Sequence, residues 1–173
     1  MKKILTIIML FGVCYGYAQN TPRYAASAKT WKFGNQTWSD AIQIPECNKS
    51  SFENSDTAPQ CRNYTEDSNT WYYYNWAYVK ANAAKLCPSP WRVPSKEDFE
   101  LMVELTDENN LMSAWGRPGL ADDSSVHLVG SLALFRSTTA ARTARAYVSH
   151  YDHDSMGVLY TGIHYGLPVH CVR

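Results

Sequence analysis

The densest group of chemically capable side chains is the run HYDHD, from His150 to Asp154. In a strand, alternate residues point to one face, so His150, Asp152 and Asp154 could converge. A mixture of imidazole and carboxylate groups is able to ligate a transition metal. A histidine-rich surface turn is the commoner outcome of such a run. The sequence therefore predicts no metal and no other cofactor.

Patterns typical of nucleophilic catalysis and of phosphate binding do not occur in the chain. There is no GxSxG elbow, no HExxH pair and no phosphate-binding glycine loop. A thiol nucleophile would require a cysteine that stays out of disulfide bonds. We therefore predict a binding module and not an enzyme.

Large or charged side chains recur along the C-terminal third of the chain, between apolar residues. Tyrosine and arginine are the residue types that most often anchor interfaces. The apolar residues that should face the core are Leu134, Val148, Val158, Ile163 and Val169. The predicted ligand-binding surface consists of Arg136, Arg142, Arg145, Tyr147, His150, Asp152, His153, Tyr160 and His164. An ordinary solvated sheet face also alternates in this way and remains the alternative.

The N-terminus has the features of a secretory signal. Lys2 and Lys3 precede an apolar run, and a small-x-small site ends at Ala18. We therefore predict a signal peptide at 1–18, a leader at 19–29 and one folded domain at 30–173. Export would place the mature protein outside the cell, either secreted or at the cell surface. Acidic and basic residues balance at 16 each, so no global field favours nucleic acid, and no stable membrane insertion is expected.

The elements that would position these residues follow from local pattern. Two short strands are predicted around Gly34, and a polar surface loop is predicted from Ile44 to Asn69. An aromatic run, WYYYNW, precedes a helical stretch that ends near Pro88, and Ser95 begins a second helix with a capping-box pattern. From Gly130 onward strands dominate, the last of them PVHCVR. The sequence thus predicts an α+β domain.

The order of YNW, a short helix, CPSPWRVPS and a second helix resembles the Fibrobacter succinogenes major paralogous domain family. WKFGNQTWSDAI resembles the opening hairpin of that family, and GLPVHCVR resembles its closing strand, although His170 stands where arginine is more usual. The resemblance implies a C-type-lectin-like fold, with two short helices on a twisted, mostly antiparallel sheet. It also implies a relation to the formylglycine-generating-enzyme group.

Four cysteines follow the predicted signal peptide, and an even number in an oxidising compartment favours disulfide bonds. Four cysteines allow three connectivities. The family resemblance implies a bond between Cys87 and Cys171, which leaves Cys47 to pair with Cys61. With these bonds formed, no cysteine pair remains for the chemistry of the formylglycine-generating relatives.

A compositional shift sets the last 43 residues of the chain apart. From Ser131 to Arg173 there is no Lys, Glu, Gln, Trp or Asn. Randomised adenines in an AAC or AAT codon produce most of the residues that occupy the alternating positions. This pattern resembles the variable proteins of diversity-generating retroelements, although such codons would also retain asparagine, and strands avoid several of the missing residues by propensity.

Together these observations predict an exported ligand-binding module with a hypervariable surface on a C-type-lectin-like scaffold. Its partner would be a protein or glycan at the cell exterior. Two alternatives stay open: a structural component of a cell-surface appendage or matrix, and a degenerate enzyme of the formylglycine-generating type.

Overall fold

The computed structural model describes residues 29–44, 46–47, 55–66, 68–106, 119–122, 125–127, 129, 133–152 and 155–173. The predicted signal peptide lies outside these residues, as does the predicted leader apart from Lys29. The elements of the described part are β1 (Thr30–Phe33), β2 (Gln36–Ser39), β3 (Cys61–Glu66), β4 (Asn69–Tyr74), α1 (Trp76–Leu86), α2 (Lys96–Leu105), β5 (Leu120–Ala121), β6 (Val126–His127), β7 (Ala133–Arg142), β8 (Arg145–Tyr151) and β9 (Met156–Gly162).

The strands pair in four small antiparallel sheets. Three are two-stranded, namely β1–β2, β3–β4 and β5–β6, and the fourth has the order β7–β8–β9. With the two helices, this arrangement confirms the predicted α+β class. Within the described residues the pairing is divided among these sheets and does not form one continuous sheet.

The N-terminal hairpin forms where it was predicted, with Gly34 at φ +56° in its turn. The C-terminal segment runs beside β2: the Ser39 amide donates to the Cys171 carbonyl at 2.8 Å, and the Arg173 amide donates to the Thr37 carbonyl at 3.0 Å. That segment was predicted to be a strand. It forms no regular strand and contributes isolated bridges through Gly166, Leu167 and Val172.

The prediction of a surface loop from Ile44 to Asn69 was wrong for its second half. Residues Cys61–Glu66 form β3 and pair along their whole length with the aromatic strand β4. The polar side chains in β3 misled the prediction, because Arg62 and Asn63 pair with Tyr73 and Tyr72 of β4, whose rings supply the apolar surface. The predicted Cys47–Cys61 bond is present and ties Cys47 to the first residue of β3.

The first helix is fixed by its N-cap, the buried Asn75. Its side-chain oxygen accepts from the amides of Tyr78 and Gln60, both at 2.9 Å, and its side-chain amide donates to the Ala58 carbonyl at 2.8 Å. A single side chain therefore begins α1 and also attaches the 55–60 segment to it.

The second helix begins at Ser95 with the predicted capping box, whose second member is Asp98. The buried Asp98 carboxylate also forms an ion pair with Arg92 and accepts a hydrogen bond from Gln36 at 2.8 Å. Although burial opposes ionisation, the bonds from Arg92 and Ser95 outweigh it and lower the pKa of Asp98. This carboxylate joins α2 to the proline-rich connector and to the N-terminal hairpin.

The Cys87–Cys171 bond, implied by the family resemblance, is also present. It closes a separation of 84 residues and joins the end of α1 to the C-terminal segment. In the chain-entropy description such a closure stabilises the folded state by about 4–5 kcal/mol, against about 3 kcal/mol for the shorter loop that the Cys47–Cys61 bond closes.

The buried side chains of Trp38, Phe99 and Phe135 form a core cluster between α2 and the β7–β8–β9 sheet.

Candidate binding surface

The β7–β8–β9 sheet has two faces with different environments. Directly paired residues of neighbouring strands share a face, so the register places Arg145, Tyr147 and Tyr151 of β8 on one side and Val148 on the other. We call the side with Tyr151 the helix-side face, because Phe99 and Met102 of α2 pack in the same core cluster as Tyr151.

Helix α2 covers only part of the helix-side face. Its first residue, Lys96, donates its amide to the Thr139 hydroxyl at 3.0 Å, and the Thr138 amide donates to the Pro94 carbonyl at 2.8 Å. These bonds fix the start of the helix against β7. The sheet continues past this point to the tip of the β7–β8 hairpin, so the end of the helix-side face carries side chains that α2 does not bury.

Four predicted residues meet on that uncovered end, and we call them the arginine–tyrosine surface: Arg142, Arg145, Tyr147 and Tyr160. The two arginines are Cα partners across a two-residue turn, and both are exposed. Their guanidinium carbons lie over the Tyr160 ring, 5.2 and 5.1 Å from its centroid. The Tyr147 ring meets Tyr160 edge to face, with centroids 6.3 Å apart.

A fifth residue extends this surface and was missed by the sequence analysis. The Lys96 ammonium lies over the Tyr147 ring, 5.3 Å from its centroid. It also forms an ion pair with Glu100, and this hydrogen bond raises the pKa of Lys96. No local signal marked Lys96, because its place beside Tyr147 depends on how α2 docks against β7.

Arg136 was predicted to lie on the ligand-binding surface, and its position corrects that prediction. It pairs with Val148, on the face opposite the arginine–tyrosine surface, and is fully buried. Its guanidinium donates to the Tyr165 carbonyl at 2.6 Å and lies 3.5 Å from the Gly162 carbonyl. Burial lowers the pKa of Arg136 to about 9, so the side chain stays charged at neutral pH and holds the 162–165 turn from beneath.

The histidines of the predicted surface are scattered. His150 lies on the opposite face, where its Nε2 is 3.1 Å from a carboxylate oxygen of Asp152. His164 follows β9 and lies 3.4 Å from a carboxylate oxygen of Asp56. His153 lies outside the described residues. The structure thus brings together four of the nine predicted residues and separates the others that it describes.

The described part of the chain holds neither a metal-binding cluster nor a catalytic triad. It contains no group of three or more histidine, cysteine, aspartate or glutamate side chains arranged to hold a metal ion. Asp122, Ser125 and His127 come close together at an exposed turn, yet the carboxylate and the hydroxyl both contact the same His127 nitrogen, Nε2, at 2.7 and 2.9 Å. A catalytic triad requires them on opposite nitrogens, so this group is a turn network.

The five apolar residues that were predicted to face the core are not all buried. Leu134, Val148 and Val169 are buried, whereas Val158 and Ile163 are half-buried. Val158 also shares the helix-side face with Tyr160. Exposure on this sheet therefore changes along the strands, past the start of α2, as well as between its two faces.

Neither helix of the described part has the length and apolar character needed to cross a membrane. Comparisons with known protein families, with curated proteins and with solved structures found no match to this chain. The resemblance to the Fibrobacter family therefore rests on the sequence motifs that carry it.

Proposed function

We propose that this chain is an exported ligand-binding module on a C-type-lectin-like scaffold, and that it presents the arginine–tyrosine surface to a partner at the cell exterior. The observation that carries the proposal is that four of the predicted residues meet at the uncovered end of the helix-side face. Arginine and tyrosine give wide contact area with hydrogen-bonding tips, and both are enriched among residues that dominate binding energy.

The scaffold beneath this surface suits repeated change of its side chains. Its strands are held by their hydrogen-bonded pairing and by the docking of α2, and the Cys87–Cys171 bond ties the end of α1 to the C-terminal segment. Substitutions at exposed positions usually change the free energy of unfolding by less than about 0.5 kcal/mol. These properties support the hypothesis that a diversity-generating retroelement varies this region.

Thiol chemistry of the formylglycine-generating type would need a reactive cysteine. Each cysteine within the described residues is in a disulfide bond: Cys47 with Cys61 and Cys87 with Cys171. This bonding favours binding over that enzymatic alternative. Native protein should accordingly resist alkylation of all four, and stoichiometric labelling of Cys87 or Cys171 would favour the enzyme.

The central test uses a combined Arg142→Ala, Arg145→Ala and Tyr160→Ala variant and a matched control, His150→Ala with Leu159→Ala, on the opposite face. We expect both proteins to keep the wild-type melting temperature within a few degrees, since these positions contribute little to the core. Immobilised wild-type protein and the control should retain a common partner that the combined variant does not. A partner that binds all three proteins equally would refute this site.

A second test examines the variability hypothesis. Sibling genes from one genome should differ at the arginine–tyrosine positions far more often than at buried neighbours such as Val148 and Phe135. Differences spread evenly over exposed positions of the whole chain would contradict the hypothesis. Self-association at micromolar concentration would instead favour a structural role in an appendage or matrix.

A further inference from the structure

The tip of the β7–β8 hairpin holds two like charges in an unfavourable arrangement. Arg142 and Arg145 are directly opposite across the strands, and like charges in that position destabilise a strand pair. No carboxylate among the described residues forms an ion pair with either arginine. Between them, Ala144 adopts φ +55°, a conformation that residues with a Cβ rarely take. Strain and unpaired charge at one exposed tip are typical of a site that a partner completes.

Tyr160 partly offsets the repulsion between the two arginines but does not neutralise their charge. Both guanidinium groups lie over its ring, and a cation over an aromatic face is attracted by the negative charge of that face. The ring thereby restricts the arginine rotamers, so that less side-chain entropy is lost when the guanidinium groups bind a ligand. The result is a preformed pair of planar, multiply donating cations directed away from the core.

We infer that the arginine–tyrosine surface binds an acidic segment of a protein partner, through ion pairs between the two guanidinium groups and the partner's carboxylates. The inference rests on the proposed binding role and adds the chemistry of the partner. Charge complementarity requires an anion, and carboxylates match the guanidinium fork in bidentate geometry.

A glycan is disfavoured as the partner by the state of the aromatic rings. Sugars bind proteins largely by stacking their apolar ring face on an open aromatic face. Here the guanidinium groups of Arg142 and Arg145 lie over Tyr160, and the Lys96 ammonium lies over Tyr147. A sugar ring would have to displace these cations from the faces that they cover, whereas carboxylate side chains need only the outer edges of the guanidinium groups.

The test measures fluorescence anisotropy of a labelled oligoglutamate peptide titrated with the full chain. We expect saturable binding that weakens as salt is raised, because exposed ion pairs are screened. An Arg142→Gln, Arg145→Gln variant should bind about tenfold more weakly or worse, which corresponds to about 1.4 kcal/mol. Tyr160→Phe should bind like the wild type, since it keeps the ring, and Tyr160→Ala should bind more weakly.

Arg173→Gln is the matched control, because Arg173 is also exposed and its guanidinium also lies over an aromatic ring, that of Trp91, at 4.6 Å. It should leave oligoglutamate binding unchanged. Equal loss in the control, no binding by the wild type, or tighter binding of a sulfated polysaccharide than of oligoglutamate would each overturn the inference. If a partner without an acidic segment is lost only when the surface is mutated, the inference fails while the proposed binding role stands.

Discussion

His170 should make the fold sensitive to mild acid. Its ring is fully buried, packs edge to face on Phe135 at 4.7 Å between centroids, and its Nδ1 lies 2.9 Å from the Ser39 carbonyl. Burial lowers the pKa of His170 to about 4 from its usual 6.5, and the bond to Ser39 offsets only part of that effect. The folded state therefore takes up a proton at this site far less readily than the unfolded chain does.

The sign and size of the effect follow from linkage. Because the folded pKa is the lower one, the stability is fully present above pH 6.5 and is lost as pH falls towards 4. Because the unfolded state takes up this proton first, the free energy of unfolding should fall by about 1.4 kcal/mol at pH 5.5 and by about 3 kcal/mol at pH 4.

The assay is urea denaturation of the wild type and of His170→Asn between pH 7.5 and pH 4. The asparagine amide can still donate to the Ser39 carbonyl but does not titrate, and it loses the packing on Phe135 at every pH. The variant should therefore be less stable at pH 7.5. Its deficit relative to the wild type should shrink by about 3 kcal/mol as the pH reaches 4.

Comparison of the two proteins removes the contribution of other groups, such as the Asp98 carboxylate, because both proteins share them. His164→Asn, which makes the same substitution at a partly exposed histidine, is the matched control. A difference between wild type and His170→Asn that stays constant from pH 7.5 to pH 4 would refute the reasoning.

Three further predictions concern the scaffold and use the same denaturation assay. Asp98→Ala should lower the free energy of unfolding by about 1–3 kcal/mol, because it removes the second member of the α2 capping box and the acceptor of the Gln36 side-chain amide, whereas the exposed Arg92 guanidinium is screened by solvent. A loss below about 0.5 kcal/mol would contradict this role. Gly34→Ala should lower the free energy of unfolding by about 1 kcal/mol, since φ is +56° and the new Cβ would lie 2.6 Å from the Leu105 side chain of α2. Gly157→Ala is the control and should leave stability unchanged, because no atom lies within 4 Å of the new Cβ. Ala144→Gly should raise stability by roughly 0.5–1 kcal/mol, and a decrease would show that its φ is unstrained.

Predictions that depended on neighbours in sequence agree with the structure. The Gly34 hairpin, the Ser95 capping box and the end of α1 before Pro88 all follow from the conformational preferences of a few adjacent residues. The α+β class followed from the same local signals taken together. Both disulfide bonds agree with the pairing that the family resemblance implied.

Arg136 and Arg142 show where a local pattern was insufficient. Both have even numbers in one strand, so strict alternation would put them on the same face. The register of β7 against β8 shifts between Arg136 and Ala140 and again between Ala140 and Arg142. These irregularities bring Arg142 opposite Arg145 at the uncovered end of the helix-side face. Arg136 stays buried opposite Val148. The sequence carries no separate signal for the shifts.

The sequence by itself determined which short segments form turns, caps and strands, because those choices depend on the φ preferences and the hydrogen-bonding side chains of adjacent residues. It also determined that arginine and tyrosine side chains would recur along the C-terminal strands. The tertiary structure decided which of those side chains meet. Helix α2 covers part of the helix-side face and leaves its end at the β7–β8 hairpin uncovered. A shift of register places Arg142 on that end, while Arg136 is buried on the opposite face. Both outcomes depend on contacts between residues distant in sequence, whose geometry no local pattern encodes.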